Sequence, residues 1–415
     1  MFASRLLPLA LLCASAAASA SGLDRSLSVP LDHGRPAAGS ARLDYEFGAR
    51  FDPRKPTVIM VADGQQFYVR KGAMPAFQQS LFGPGVNVVG LVTRGTTPAF
   101  VAATLGPGGK PDWQRAWRIF NADQWIADID ALRRALVGNG KVMLYGRSGG
   151  AYLVHQYLAV HGDHVSRAFT QSPVNPEIVR DLDIGLDRFW KTLGAESPEL
   201  QPMLVDLLKR RPGERTRILI TLQRQHFFVP ADRLKDERAK LIRALAAGDE
   251  GAYAQARKDY QVDDVMALLA SNDSIPQNVR VLELIGPSGA FDAPEAGVSP
   301  LIEPQRNFAA PLIELEKAGR IPPPHFDLEA LHRVRTEVFV LAAREDEAVD
   351  YRTTIALAYS YPHHRLFVAD DNHTFARISG GGEDGKLIRA FFAGGLDSPR
   401  LAAALKAAAP YRWNE

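Results

Sequence analysis

Short apolar runs bounded by turn residues recur along this chain. They occupy residues 57–62, 86–92, 142–145, 165–170, 337–343 and 365–369. Runs this short and this apolar fit strands covered on both faces, as in a parallel sheet. Helical spacing fills the gaps between them. Over residues 121–137, Ile126, Ile129, Leu132 and Leu136 share one face, and Asn139-Gly140 stops the helix. Over residues 151–158, Leu153, Val154, Tyr157 and Leu158 form a second stripe. Ahead of this region, residues 26–47 alternate loosely and predict two strands around a turn at Gly34-Arg35-Pro36. Strand and helix thus alternate over residues 57–172, the pattern of a sheet flanked by helices.

The pattern changes near residue 175. Helical segments are predicted at 176–193, 198–210, 231–247, 251–270 and 311–318, with a Gly- and Pro-rich loop over 286–304. Alternation resumes with the strand at 337–343, a helix at 353–359, the strand at 365–369 and a last helix at 385–392. The expected organisation is an α/β core built from residues 21–174 and 334–415, with residues 175–333 inserted as a mainly helical cap.

Residues 1–20 stand apart. Arg5 precedes an apolar, Ala-rich run that ends in Ala18-Ser19-Ala20, the layout of a signal peptide with its cleavage site. The expected location is therefore the periplasm or the outside of the cell. The run is too short to span a bilayer, and no other reaches 18 residues, so no integral membrane segment is expected after cleavage. The single cysteine, Cys13, lies inside the leader; the mature chain has none and must be stabilised by its core alone. The formal net charge of the 415 residues is +2, which argues against nucleic acid as a partner.

The run at 142–145 ends in Gly146-Arg147-Ser148-Gly149-Gly150 and leads straight into a helix. Strand, Gly-x-Ser-x-Gly and helix in that order form a nucleophile elbow, the signature of the α/β-hydrolase fold. Small residues are needed around so tight a turn. Ser148 sits at its tip, and the N–H of Gly149 opens the helix where an oxyanion forms. A serine hydroxyl needs a base, and in this fold acid and base follow in the order Ser, Asp or Glu, His. Asp346 comes three residues after the strand ending at Ala343, and His373 four after the strand ending at Ala369. Glu345, Glu347 and Asp350 compete with Asp346 for the acid's place. The second oxyanion donor is expected from Gly64 and Gln65, after the first core strand. His226 is left open between a buried core position and the pocket wall. Nothing here calls for a cofactor or a metal: the Gly-rich turn fits neither nucleotide-binding pattern, and His161-Gly162-Asp163-His164 reads as a helix end.

Several residues together resemble the proline iminopeptidase and tripeptidyl aminopeptidase branch of the α/β hydrolases. They are Val29-Pro30-Leu31-Asp32-His33, Gly39, Asp63-Gly64, Thr93-Arg94-Gly95-Thr96, Ala127-Asp128-Ile129, Leu132-Arg133 and Tyr145 to Gly150. The resemblance covers residues 29–174 and 334–376 but not the cap. It implies a serine peptidase with Ser148, Asp346 and His373 as its triad, and recognition of a free α-amine by acidic residues. Asp63-Gly64-Gln65-Gln66 stands where that branch has Gly-Gly-Pro-Gly. Asp63 either shapes its turn or meets a cation, such as a substrate amine or the guanidinium of Arg94 or Arg147. The expected partner is a small-molecule or short-peptide substrate. An ester is the rival to a peptide, because one triad serves both. A non-catalytic binding protein on the same scaffold is a third reading, against which the presence of all three residues argues.

Overall fold

The computed structural model describes residues 24–63, 68–184, 188–193, 197–287 and 298–414. Eight strands form one sheet: β1 (Asp24–Pro30), β2 (Ser40–Phe47), β3 (Thr57–Val61), β4 (Asn87–Leu91), β5 (Val142–Arg147), β6 (Val165–Gln171), β7 (Glu337–Ala343) and β8 (His364–Ala369). Their order across the sheet is β1-β2-β4-β3-β5-β6-β7-β8. The pairs β1–β2 and β2–β4 are antiparallel, and every other pair is parallel. β5 therefore lies between β3 and β6, well inside the sheet.

Successive side chains of a strand point to opposite faces, so a strand buried on both sides has no polar alternation. Along β3, Ile59 and Val61 join one apolar cluster while Val58 and Met60 join another. β7 divides in the same way, with Val338 and Val340 on one side and Phe339 and Leu341 on the other. The first cluster lies under the helices Ala122–Val137 and Ser148–His161, the second under Glu383–Gly394 and Pro399–Ala408.

Between β6 and β7 the described elements are helical. A third apolar cluster, from Phe189 to Leu301, is made within this segment alone. Its later helices, Ile275–Ile285 and Ile302–Lys317, instead contribute Val279, Leu282, Leu312 and Ile313 to the first cluster. The cap thus has its own core and is also rooted in that of the sheet.

Helix boundaries differ from expectation in instructive places. The segment 251–270 is two helices, Glu250–Asp259 and Val262–Leu269, broken at Gln261 with φ +54°. The expected long loop at 286–304 gives way at residue 302 to the helix Ile302–Lys317, which carries Pro311 inside it. Two cap helices, Arg215–Phe228 and Ile275–Ile285, were not expected. Nor was Pro399–Ala408, which follows the helix expected to be last.

Many residues behind the peptidase resemblance form one buried polar knot. Arg94 Nε and Nη2 each donate to Asp128 at 2.7 Å, and Nη1 donates to the carbonyl of Leu31 at 3.1 Å. His33 Nε2 lies 2.8 Å from Asp128 Oδ1, and the His33 amide donates to Gln124 at 2.8 Å. The knot ties the β1–β2 turn and the segment after β4 to the helix Ala122–Val137.

Candidate active site

The turn after β5 places Ser148 at φ +50°, a left-handed conformation that strains a non-glycine residue. Strand and helix can meet this abruptly only if the flanking positions lack side chains. A Cβ on Gly146 would stand 2.7 Å from the carbonyl oxygen of Gly150. One on Gly149 would stand 1.8 Å from Asp63 Oδ2. The helix Ser148–His161 then starts at Ser148 itself, with the Gly149 amide in its first turn.

Asp346 follows β7 and is fully buried. Its Oδ1 accepts from the amides of Ala348 and Val349, at 2.8 and 2.9 Å, which fixes the carboxylate within a tight turn. Its Oδ2 lies 2.8 Å from His373 Nδ1. Burial pushes the Asp346 carboxyl up, but the charge and hydrogen bond of His373, with hydrogen bonds from Ser172 and the Val349 amide, outweigh it and hold the group below its ordinary value. An ionised Asp346 accepts from Nδ1 of His373, which puts the proton of the neutral ring on Nδ1 and leaves Nε2 as its basic nitrogen. The elbow and the histidine loop are tied together, since Arg147 Nη2 donates to the carbonyl of Thr374 at 3.3 Å.

The rival acids are occupied elsewhere. Glu345 is exposed and faces Arg344 at 3.4 Å. Asp350 caps the helix Tyr351–Tyr359 and pairs with Arg352 at 2.8 Å. Glu347 pairs with Arg238 of the cap at 2.6 Å. Gly64 and Gln65 lie outside the described residues.

Asp63, at the end of β3, is fully buried against Gly149. The guanidinium beside it belongs to neither expected arginine. Arg94 is committed to Asp128, and Arg147 reaches the histidine loop. Instead Arg280, from the cap helix Ile275–Ile285, brings its Nε to 3.9 Å from Asp63 Oδ2. Nη1 of Arg280 donates to Glu283, whose other oxygen accepts from the Ala122 amide at 2.6 Å. The Arg280 guanidinium lies 5.9 Å from the ring of Tyr152, whose hydroxyl donates to Glu177 at 3.2 Å. Asp63 and Glu283 thus flank one buried arginine, with Glu177 on the far side of Tyr152. Burial pushes Glu177 up to about 7 and raises Glu283 as well. Sequence reasoning missed Arg280, Glu283, Glu177 and Ser172, which come from separate stretches with no local motif to mark them.

His226 is buried, its ring 6.4 Å from that of His373, with Phe227 5.5 Å from the same ring. Its Nδ1 is satisfied by the Gln223 carbonyl, and burial lowers its pKa to about 4. Among the described residues no cluster of three or more His, Cys, Asp or Glu could hold a metal ion, and no helix is long and apolar enough to cross a membrane.

Comparison with known structures gives likenesses at low identity. An alpha/beta hydrolase enzyme from a Medee basin deep-sea metagenome library is 12% identical with a TM-score of 0.45, covering 86% of this chain and 97% of its own. An acetylester hydrolase from Corynebacterium glutamicum is 14% identical with a TM-score of 0.45, covering 89% and 96%. Proline iminopeptidase from Mycobacterium smegmatis is 14% identical with a TM-score of 0.44, covering 92% and 100%. No curated protein matches the sequence. The sequence pattern of the alpha/beta hydrolase fold family matches residues 100–377, and the chain belongs to that family.

Proposed function

We propose that the protein is an exported serine hydrolase that cleaves peptide or amide bonds of small substrates through an acyl-enzyme, with an aminopeptidase-like preference. The observation that carries the hydrolytic part is the 2.8 Å contact between His373 Nδ1 and Asp346 Oδ2, with the elbow tied to the same loop. In this reading Ser148 Oγ attacks the substrate carbonyl while His373 Nε2 takes its proton. Asp346 holds the imidazole in the productive tautomer and stabilises the imidazolium. The Gly149 amide donates to the oxyanion, and Gly64 or Gln65 supplies the second donor. His373 then protonates the leaving amine, and water repeats the sequence on the acyl-enzyme.

The preference for peptides rests on Asp63, which lies against Gly149 of the elbow and shares Arg280 with Glu283, a carboxylate suited to a cationic α-amine beside the nucleophile's turn. A carboxylesterase remains the second reading, because an alkoxide leaves more easily than an amine. The deciding experiment combines fluorophosphonate labelling with a panel of aminoacyl amides, N-blocked amides and short-chain esters. Labelling that vanishes in Ser148→Ala, with aminoacyl amides preferred, supports the proposal. Full labelling of Ser148→Ala sinks the nucleophile assignment, and turnover of esters alone sinks the peptidase. For export, the protein recovered from its native host should begin near Ser21; a chain that still starts at Met1 refutes it.

A further inference from the structure

The loop that carries Asp346 is gripped from outside by the cap. Arg238, on the helix Ala231–Ala246, has no exposed surface. Its Nη1 and Nη2 donate to the two oxygens of Glu347 at 2.7 and 2.6 Å. The guanidinium also stacks on Phe189, 4.0 Å from the ring centre. Glu347 lies inside the turn from Asp346 to Val349, whose amides orient the Asp346 carboxylate. Arg188, also from the cap, donates to the Asp346 carbonyl at 3.3 Å and lies 3.6 Å from Asp350. The histidine loop is held from the same side, because Asn372 Nδ2 donates to the carbonyl of Val229 at 3.2 Å.

A buried ion pair is a poor source of stability, since desolvating both charges consumes most of their attraction and an apolar pair of similar size is often equivalent. Its value is geometric: a bidentate guanidinium–carboxylate pair fixes both distance and orientation. We infer that Arg238 is a positioning residue. By clamping Glu347 it sets the turn that aims Asp346 at His373, so the cap forms part of the proton relay's frame and stays closed at this edge during turnover. Arg238 touches no reacting atom, and the inference rests on the reading of Asp346 as the acid of the relay.

The test uses the full mature chain and three variants: Arg238→Met/Glu347→Met, Glu347→Gln and Asp346→Asn. The double variant removes both charges together and leaves neither one orphaned. Glu347→Gln keeps shape and one hydrogen-bond acceptor, and it decides the matter if the double variant does not fold. The readouts are kcat, KM, the rate of fluorophosphonate labelling and the thermal midpoint. Positioning predicts that the double variant melts near the wild type, holds KM within about twofold, and loses at least tenfold in kcat and labelling rate together. Glu347→Gln should lose about three- to tenfold in kcat with KM unchanged. Wild-type kcat and labelling in whichever variant folds, or a rise in KM with kcat intact, overturns the inference. Fully active Asp346→Asn overturns the relay reading itself and this inference with it. Inactive Asp346→Asn alongside fully active clamp variants removes the positioning role alone.

Discussion

A methyl group on Gly149 would stand 1.8 Å from Oδ2 of Asp63. The elbow and the end of β3 are therefore fitted to each other beside the amide proposed as an oxyanion donor. Neither side can yield cheaply, because Asp63 is buried and the Gly149 amide belongs to the first turn of a helix. Gly149→Ala should keep its circular dichroism spectrum but lose about 100-fold or more in turnover, the cost of misplacing one oxyanion donor. Turnover within threefold of wild type would show that the loop yields easily and that this fit is unimportant.

Asp63→Asn separates two roles of one carboxylate. If Asp63 binds an α-amine, turnover of aminoacyl substrates should fall at least tenfold more than that of N-blocked or ester substrates. Equal effects on both classes remove amine recognition by Asp63. Stability should fall too, but by less than the ~3–5 kcal/mol lost when a buried charge loses its sole partner, because Arg280 retains Glu283.

Glu177 gives folding stability a pH signature. Its folded-state pKa, raised by burial to about 7 from 4.5, means that its ionisation opposes folding. The stability linked to the neutral form is fully present below the unfolded-state value and is lost as pH rises through about 7. Glu177→Gln cannot ionise. Denaturant unfolding should show the variant and wild type diverging upward from about pH 5, with the variant ahead by about 1–3 kcal/mol near pH 9. Parallel stability curves across that range would contradict the burial assigned to Glu177.

The Arg94–Asp128 pair makes a prediction about stability alone. Both side chains are buried, and Asp128 would keep only the His33 ring as a side-chain hydrogen-bond partner if Arg94 were lost. Arg94→Met should cost about 3–5 kcal/mol in unfolding free energy. Activity measured well below the melting temperature should fall by no more than a few fold, because the hydrogen bonds of Arg94 and Asp128 run to the β1–β2 turn, Ile119 and Gln124, and none reaches Ser148, Asp346 or His373. A loss below 1 kcal/mol would mean that these motif residues do not hold the fold together.

Sequence by itself determined the features that depend on near neighbours. β3, β5 and β7 are legible because strands buried on both faces are apolar throughout, and no short surface element shares that pattern. The elbow is legible because its turn demands small residues at fixed offsets from Ser148. Chain order after β7 and β8 singled out Asp346 and His373, which the structure brings into contact. The cap helices that escaped notice show where local pattern runs out. Ile275–Ile285 is buried along nearly its whole length, Gln277, Asn278, Arg280 and Glu283 included, so its polar residues mark no solvent face. Arg215–Phe228 carries Ile218-Leu219-Ile220-Thr221, a run as strand-like as any in the sheet, and only its packing against other cap helices makes it helical. Tertiary structure alone decided which charges meet. Arg280 lies more than two hundred residues from Asp63, and Arg238 more than one hundred from Glu347. A charged side chain announces only that it needs a partner, and the partner is chosen by whichever segment folds against it in a buried place. Hence Ser148 could be proposed as a nucleophile from ten consecutive residues, while the cation beside Asp63 could not be named until the cap was seen to pack over it.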